Sequence, residues 1–200
     1  MFVTEIDKLK DICEPCKSTD EGEQIGVKLF EALEDKGIGL AANQIGINKR
    51  VCIINVKEPI ILVNPKIVEK SPEKFVFLEG CLSFPNESIK TVRHKWVKVH
   101  ADNHDSTLFF SVWDTKDEEG YDKQKFLHYA LETACVQHEI DHLDGITMYD
   151  REFKPEPSVR RNEKIGRNDK VTIQKDGNTK ELKYKKATKL LDDGWELVEQ

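Results

Sequence analysis

Residues 137–145 read QHEIDHLDG, and they set His138 and His142 four positions apart with Glu139 between them. If the stretch is helical, both imidazoles lie on one face, close enough to grip one metal ion. Glu139 then stands beside them, able to reach a water without being a ligand, where a general base is needed. Working outward, Leu127, Leu131, Cys135, His138 and His142 follow at steps of four, four, three and four. That stripe predicts one inward helical face over roughly Lys123 to Asp144, with Gly145 as its stop. The histidines occupy positions where an ordinary amphipathic helix carries leucine. A motif of this length also occurs by chance, so the helix needs support from the rest of the chain.

A catalytic metal site with three protein ligands requires one more. No histidine follows Gly145, which excludes the extended metzincin pattern. Glu152, Glu156 and Glu163 are possible ligands but fall in a connector-like stretch. More specific is EGCLS at 79–83, where Cys81 would offer a soft thiolate on a tight turn after the apolar run FVFL.

The remaining chain predicts an α+β fold of short, mostly antiparallel strands around that central helix. Ile25, Leu29 and Leu33 predict an earlier helix over Asp20 to Lys36, with Asp20 and Glu23 as a capping box and Gly37 as its C′ stop. Strand-like runs follow at 51–56, 60–68, 75–78, 91–101 and 107–113, punctuated by Pro59, Pro65, Pro72 and Pro85. Strands in succession, without alternating helices, favour α+β over α/β.

Composition agrees with a polar globular chain: 38% hydrophobic and 34% charged residues, with a net charge of −6. No run of about 18 apolar residues is present to span a membrane. The N-terminal stretch lacks signal-peptide character, and five scattered cysteines suit a reducing compartment, so a cytoplasmic location is expected. Charge is unevenly spread. Residues 154–190 carry 12 Lys and Arg against 5 Asp and Glu, a balance of +7 that leaves −13 for the remainder. The expected organisation is a catalytic domain over 1–152, a basic connector over 153–170 and a small appendage over 171–200, read as a hairpin, a short helix and a last strand.

With GIGLAANQ at 37–44, EGCLS at 79–83 and QHEIDHL at 137–143 in order, the chain resembles the peptide deformylases over about residues 5–152. The resemblance implies that Cys81, His138 and His142 hold one divalent ion, Fe2+ in the cell and Zn2+, Ni2+ or Co2+ in purified protein. It implies a metal-bound water as nucleophile, Glu139 as general base and acid, and Gln44 with the Leu82 backbone N–H as oxyanion donors. The substrate would be an N-formylmethionyl peptide, released as formate and a free amine. Ile38, Leu131 and Ala134 fall where the family builds its methionine pocket, with ordinary core packing as the alternative. Gly39 would give the peptide backbone access. Arg93 would touch the peptide, with a solvated strand-edge charge as the alternative.

Two departures stand out. The lead-in to the metal helix, within 114–134, is longer and more charged than usual. The tail lacks the long ribosome-docking helix of bacterial members, so the chain also resembles the shortened bacteriophage deformylases, which would act in a host cytoplasm. Its basic character suggests transient contact with ribosomal RNA. A monomer is expected. Competing functions are another metal-dependent amide hydrolase, an inactive relative serving as a binding module, and a cysteine hydrolase using Cys81. Glu139 and Gln44 would be idle in the second, and the His-Glu-x-x-His spacing would be unexplained in the third.

Overall fold

A computed structural model describes residues 2–112, 123–155 and 166–198. The chain divides into two compact units, Met1–Phe153 and Lys154–Gln200. In the first unit a short helix α1 (Ile6–Leu9) precedes α2 (Thr19–Leu33). Eight strands follow: β1 (Gly39–Ala41), β2 (Val51–Ile54), β3 (Ile60–Val63), β4 (Lys66–Lys70), β5 (Lys74–Cys81), β6 (Phe84–His94), β7 (Trp96–His100) and β8 (Leu108–Ser111). Helix α3 (Lys123–Leu143) closes the unit with a 3-10 turn at Met148–Arg151. Among the described residues every strand pairing is antiparallel, in sheets ordered β1-β2-β3 and β4-β7-β8 and a β5-β6 hairpin. The α+β reading therefore holds.

The β1-β2-β3 sheet is covered on both faces. Val51 and Ile53 join the α2 stripe of Ile25, Leu29 and Leu33, while Cys52, Ile54 and Leu62 join Val136, Ile140 and Leu143 of α3. Alternation sends successive side chains of one strand to opposite cores, which is why VCII is apolar throughout.

Several boundaries differ from expectation. Ser18 caps α2, its hydroxyl accepting from the Glu21 N–H at 3.2 Å, in place of Asp20. The helix ends at Leu33, with Glu34 at φ 47°, before Gly37 is reached. The run 60–68 breaks where Asn64 adopts φ 51° ahead of Pro65. The run 91–101 is divided at Lys95 between β6 and β7. Helix α3 ends as expected on Gly145, at φ 72°. There the Ile146 N–H reaches the Asp141 carbonyl and the Gly145 N–H the His142 carbonyl, which satisfies the last turn. The part of the charged lead-in that precedes Lys123 lies outside the described residues.

In the second unit β9 (Lys170–Lys175) pairs with both β10 (Asn178–Lys183) and β11 (Glu196–Leu197). Asp176 and Gly177, both at positive φ, make the hairpin turn. Helix α4 (Tyr184–Asp192) supplies Ala187 to a core with Val171 and Ile173.

Candidate metal centre

Helix α3 is buried on every side from Glu132 to Leu143 although much of that stretch is polar. Buried polar groups are costly without partners, and here partners come from distant strands. Gln137 acts like a short stretch of strand: its side chain accepts from the His94 N–H and donates to the His94 carbonyl, both at 2.9 Å. Glu132 pairs with Lys57 at 2.6 Å.

His138 and His142 point into one cluster with Cys81, their Nε2 atoms 3.1 Å apart. The Cys81 Sγ lies 3.3 Å from the His142 Nε2, and all three ligand atoms fall within 4.8 Å of one another. A tetrahedral zinc-type site, with about 2.0–2.1 Å to nitrogen and 2.3 Å to sulfur, would separate its ligand atoms by roughly 3.3–3.7 Å. The cluster is within a few tenths of an ångström of that across both measured pairs. Soft thiolate and two imidazoles are a donor set for Fe2+, Zn2+, Ni2+ or Co2+.

The other side of His138 is fixed by a residue that spacing did not single out. Its Nδ1 sits 2.9 Å from Glu79 Oε2, so Nδ1–H donates to the carboxylate and Nε2 faces the cluster. Glu79 in turn accepts from Thr91 and from two nitrogens of Arg93, each at 2.7 Å. Arg93 also donates to Asp141, which Arg151 holds from outside at 2.9 and 2.7 Å. Burial would raise the Glu79 carboxyl, yet Arg93 and His138 keep it down at about 2. Burial would lower the His138 imidazole, but hydrogen bonds to Cys81 and Glu79 carry it up to about 10. Burial and the neighbouring His138 push His142 well below its ordinary value.

This network corrects the reading of Arg93. Its side chain is only 2% exposed, locked between Glu79 and Asp141, and does not line the cleft at Cys81. An Arg between two buried carboxylates answers their charge; it is neither a peptide contact nor a solvated edge. Glu79 and Asp141 were the signals available, since a ligating histidine wants an acceptor on its second nitrogen.

Glu139 is 5% exposed, and burial pushes its carboxyl up to about 7. Its Oε2 is buried with no partner among the described residues. Gly39 is required by the same group, because a Cβ there would meet Glu139 Oε1 and Cys135 Sγ at 2.6 Å each. The reason for this glycine is thus first the approach of α3 and only then any access for a peptide backbone. Gln44 has its Oε1 held by the Ala41 N–H at 2.9 Å, which turns Nε2 toward Cys81 Sγ at 3.4 Å and Ser83 Oγ at 3.2 Å. Leu82 stands beside Cys81 in the two-residue turn between β5 and β6.

Two concavities meet at this centre. A cleft of about 520 Å³ is lined by Gln44, Cys81, Leu82, His138 and Glu139 and runs out between Lys36–Gly39 and Phe84–Ser88. A smaller cavity of about 100 Å³ gathers Ile38, Phe77, Leu131, Ala134 and Cys135 against His138 and Glu139. The structure thus brings Ile38, Leu131 and Ala134 to one wall. Cys135 lines that cavity with its thiol on the Ile38 carbonyl at 3.4 Å. Cys13 and Cys16 are buried in separate apolar clusters.

A family model described as polypeptide deformylase matches residues 2–158. A peptide deformylase of Hamiltonella defensa is 34% identical over 176 residues, which are 85% of this chain and 93% of that one. The crystal structure of Thermotoga maritima peptide deformylase superposes with a TM-score of 0.62 at 28% identity, covering 77% of this chain and 97% of that one. A probable peptide deformylase from synechococcus phage S-SSM7 gives a TM-score of 0.61 at 34% identity, over 76% and 98% of the two chains.

Proposed function

The chain belongs to the polypeptide deformylase family, and from that premise we propose that it removes the formyl group of N-formylmethionyl peptides at a centre held by Cys81, His138 and His142. A divalent ion on those ligands, Fe2+ in the cell with Zn2+, Ni2+ or Co2+ as substitutes, would supply Lewis acidity toward water and the formyl oxygen. The chain's own residues do the rest. Glu139 takes a proton from the attacking water as the new C–O bond forms. It returns that proton to the amine nitrogen as the C–N bond breaks, leaving formate and a free N-terminal methionine. Gln44 Nε2 and the Leu82 backbone N–H donate to the developing oxyanion, a type of contact whose loss costs about 3–4 kcal/mol. The cavity at Ile38, Leu131 and Ala134 receives the methionine side chain, and its apolar lining excludes water from the reacting bond. Glu79 keeps His138 in the tautomer that turns Nε2 inward.

The observation that supports this reading is the buried carboxylate of Glu139, its Oε2 without a partner among the described residues, in the cleft that Cys81 and His138 also line. A merely structural metal site has no use for such a carboxylate. The test is formate release from formyl-Met-Ala-Ser by iron-loaded protein. Chelation should abolish release, and Glu139→Ala should lower kcat by about 10²–10⁴-fold with the fold retained. Full activity in either control sinks the mechanism. Contact of the tail with ribosomal RNA is a subordinate proposal, supported by the exposed Lys185, Lys186 and Lys189 of α4. Equal co-sedimentation of ribosomes with the full chain and with a version ending at Phe153 would overturn it.

A further inference from the structure

The cleft leading away from the centre carries charge of its own. Outside the metal centre, two charged side chains line it among the described residues, Lys36 and Glu87. Lys36 lies on the opposite wall and is paired with Glu34 at 2.7 Å, both side chains exposed. Glu87 is different. Among the described residues it accepts a hydrogen bond from the neutral Tyr149 hydroxyl at 2.7 Å and pairs with no cation.

Glu87 is also held in place. The β5–β6 ladder slips after Gly80↔Ser88 to Cys81↔Phe84, so residues 85–87 stand out as a lip without partners on β5. Asn86 turns that lip at φ 68°. Phe84 packs edge-on against Tyr149, ring centroids 5.0 Å apart, and Tyr149 in turn reaches Glu87. The bond to Glu87 pushes the phenol up to about 12, so Tyr149 stays a donor throughout the neutral range. A neutral donor positions the carboxylate without cancelling its charge. A side chain already fixed loses less conformational freedom when it meets a ligand.

In the deformylase reading the cleft carries peptide beyond the methionine, because its lining runs from Gln44, Cys81 and Glu139 at the centre out to Glu87 and Ser88. We propose that Glu87 selects the charge of the substrate in the residues after methionine, favouring Lys or Arg and disfavouring Asp or Glu. This rests on the deformylase reading above and names a specificity it does not contain.

The test compares kcat/KM for formyl-Met-Lys-Ser and formyl-Met-Glu-Ser on the metal-loaded full chain, with formyl-Met-Ala-Ser as reference. The lysine peptide should lead by roughly two- to fivefold at low ionic strength, as for an exposed ion pair. High salt should shrink that lead. In Glu87→Gln the ratio should approach one, and in Glu87→Lys the order should invert. Tyr149→Phe, which releases the carboxylate, should retain only part of the preference. A wild-type ratio of one, or an unchanged ratio in Glu87→Lys, overturns the proposal. If formyl-Met-Ala-Ser is not hydrolysed, the deformylase reading fails on its own. Calorimetric binding of the same peptides to wild type and Glu87→Lys then decides the charge preference by the same ratio.

Discussion

Helices α2 and α3 sit against opposite faces of the same sheet and are built by different rules. In α2 the stripe of Ile25, Leu29 and Leu33 is buried and most of its polar residues face out. In α3 the stretch from Glu132 to Leu143 is buried all round, and Glu132, Thr133, Gln137, His138, Glu139, Asp141 and His142 are buried with it. The first helix is stabilised by removing apolar surface from water. The second holds most of its polar groups through partners distant in sequence, such as Lys57, Glu79, Arg93 and His94, while Glu139 Oε2 has none among the described residues. An apolar helix needs only a neighbour of the right shape; a polar buried helix needs particular atoms in particular places, and that same demand is what assembles a reactive site.

The sharpest way to break the contrast is at Arg93. Arg93→Met should leave Glu79 and Asp141 short of a buried countercharge and cost about 3–5 kcal/mol in denaturant unfolding. Adding Glu79→Gln should recover part of that loss, and a double variant no better than the single would mean the network is not what holds α3. Next, Leu29→Ala in α2 should cost about 2–4 kcal/mol by leaving a cavity, without altering retention of metal. Metal loss in that variant, read by elemental analysis, would mean the two helices are not independent. Ser18→Ala should cost only about 1 kcal/mol, the usual loss for an N-cap hydroxyl. A null result in thermal unfolding would show that neighbouring groups already satisfy the first turn of α2.

The smallest effect concerns pH. Burial pushes the Cys13 thiol up to about 11, and the fully buried Cys52 well above its ordinary value. Both pKa values are raised relative to the unfolded chain, so the neutral thiols favour folding fully below about pH 9. That contribution declines as pH rises from there through 11. Thermal midpoints should therefore fall between pH 9 and 11, and Cys13→Ala should fall less steeply. An equal slope in both would assign the alkaline loss to other groups.

Much of the site was legible because it is written at short range. His138, Glu139 and His142 lie within five residues, and their helical spacing alone puts the two imidazoles on one face. Gly145 could be read as a stop for the same reason. Arg93 could not be read correctly, since nothing near it in sequence declares that Glu79 and Asp141, respectively 14 and 48 positions away, will enclose it. The ends of α2 were misplaced because Asp20 and Gly37 offered cap chemistry as good as that of Ser18 and Glu34. Propensity ranks such candidates but does not choose between them.

By itself the sequence determined which residues are candidates for reactive chemistry, where the apolar stripes lie, and that short antiparallel strands surround one polar helix. Those properties depend on residue type and on spacings of two to four. Only the tertiary structure decided that Glu79 orients His138, that Arg93 is interior, that Gly39 yields room to Glu139 and that Glu87 stands at the mouth of the cleft. Each of these depends on the register of β5 against β6 and on how α3 settles between sheets, and those are outcomes of packing the whole core at once.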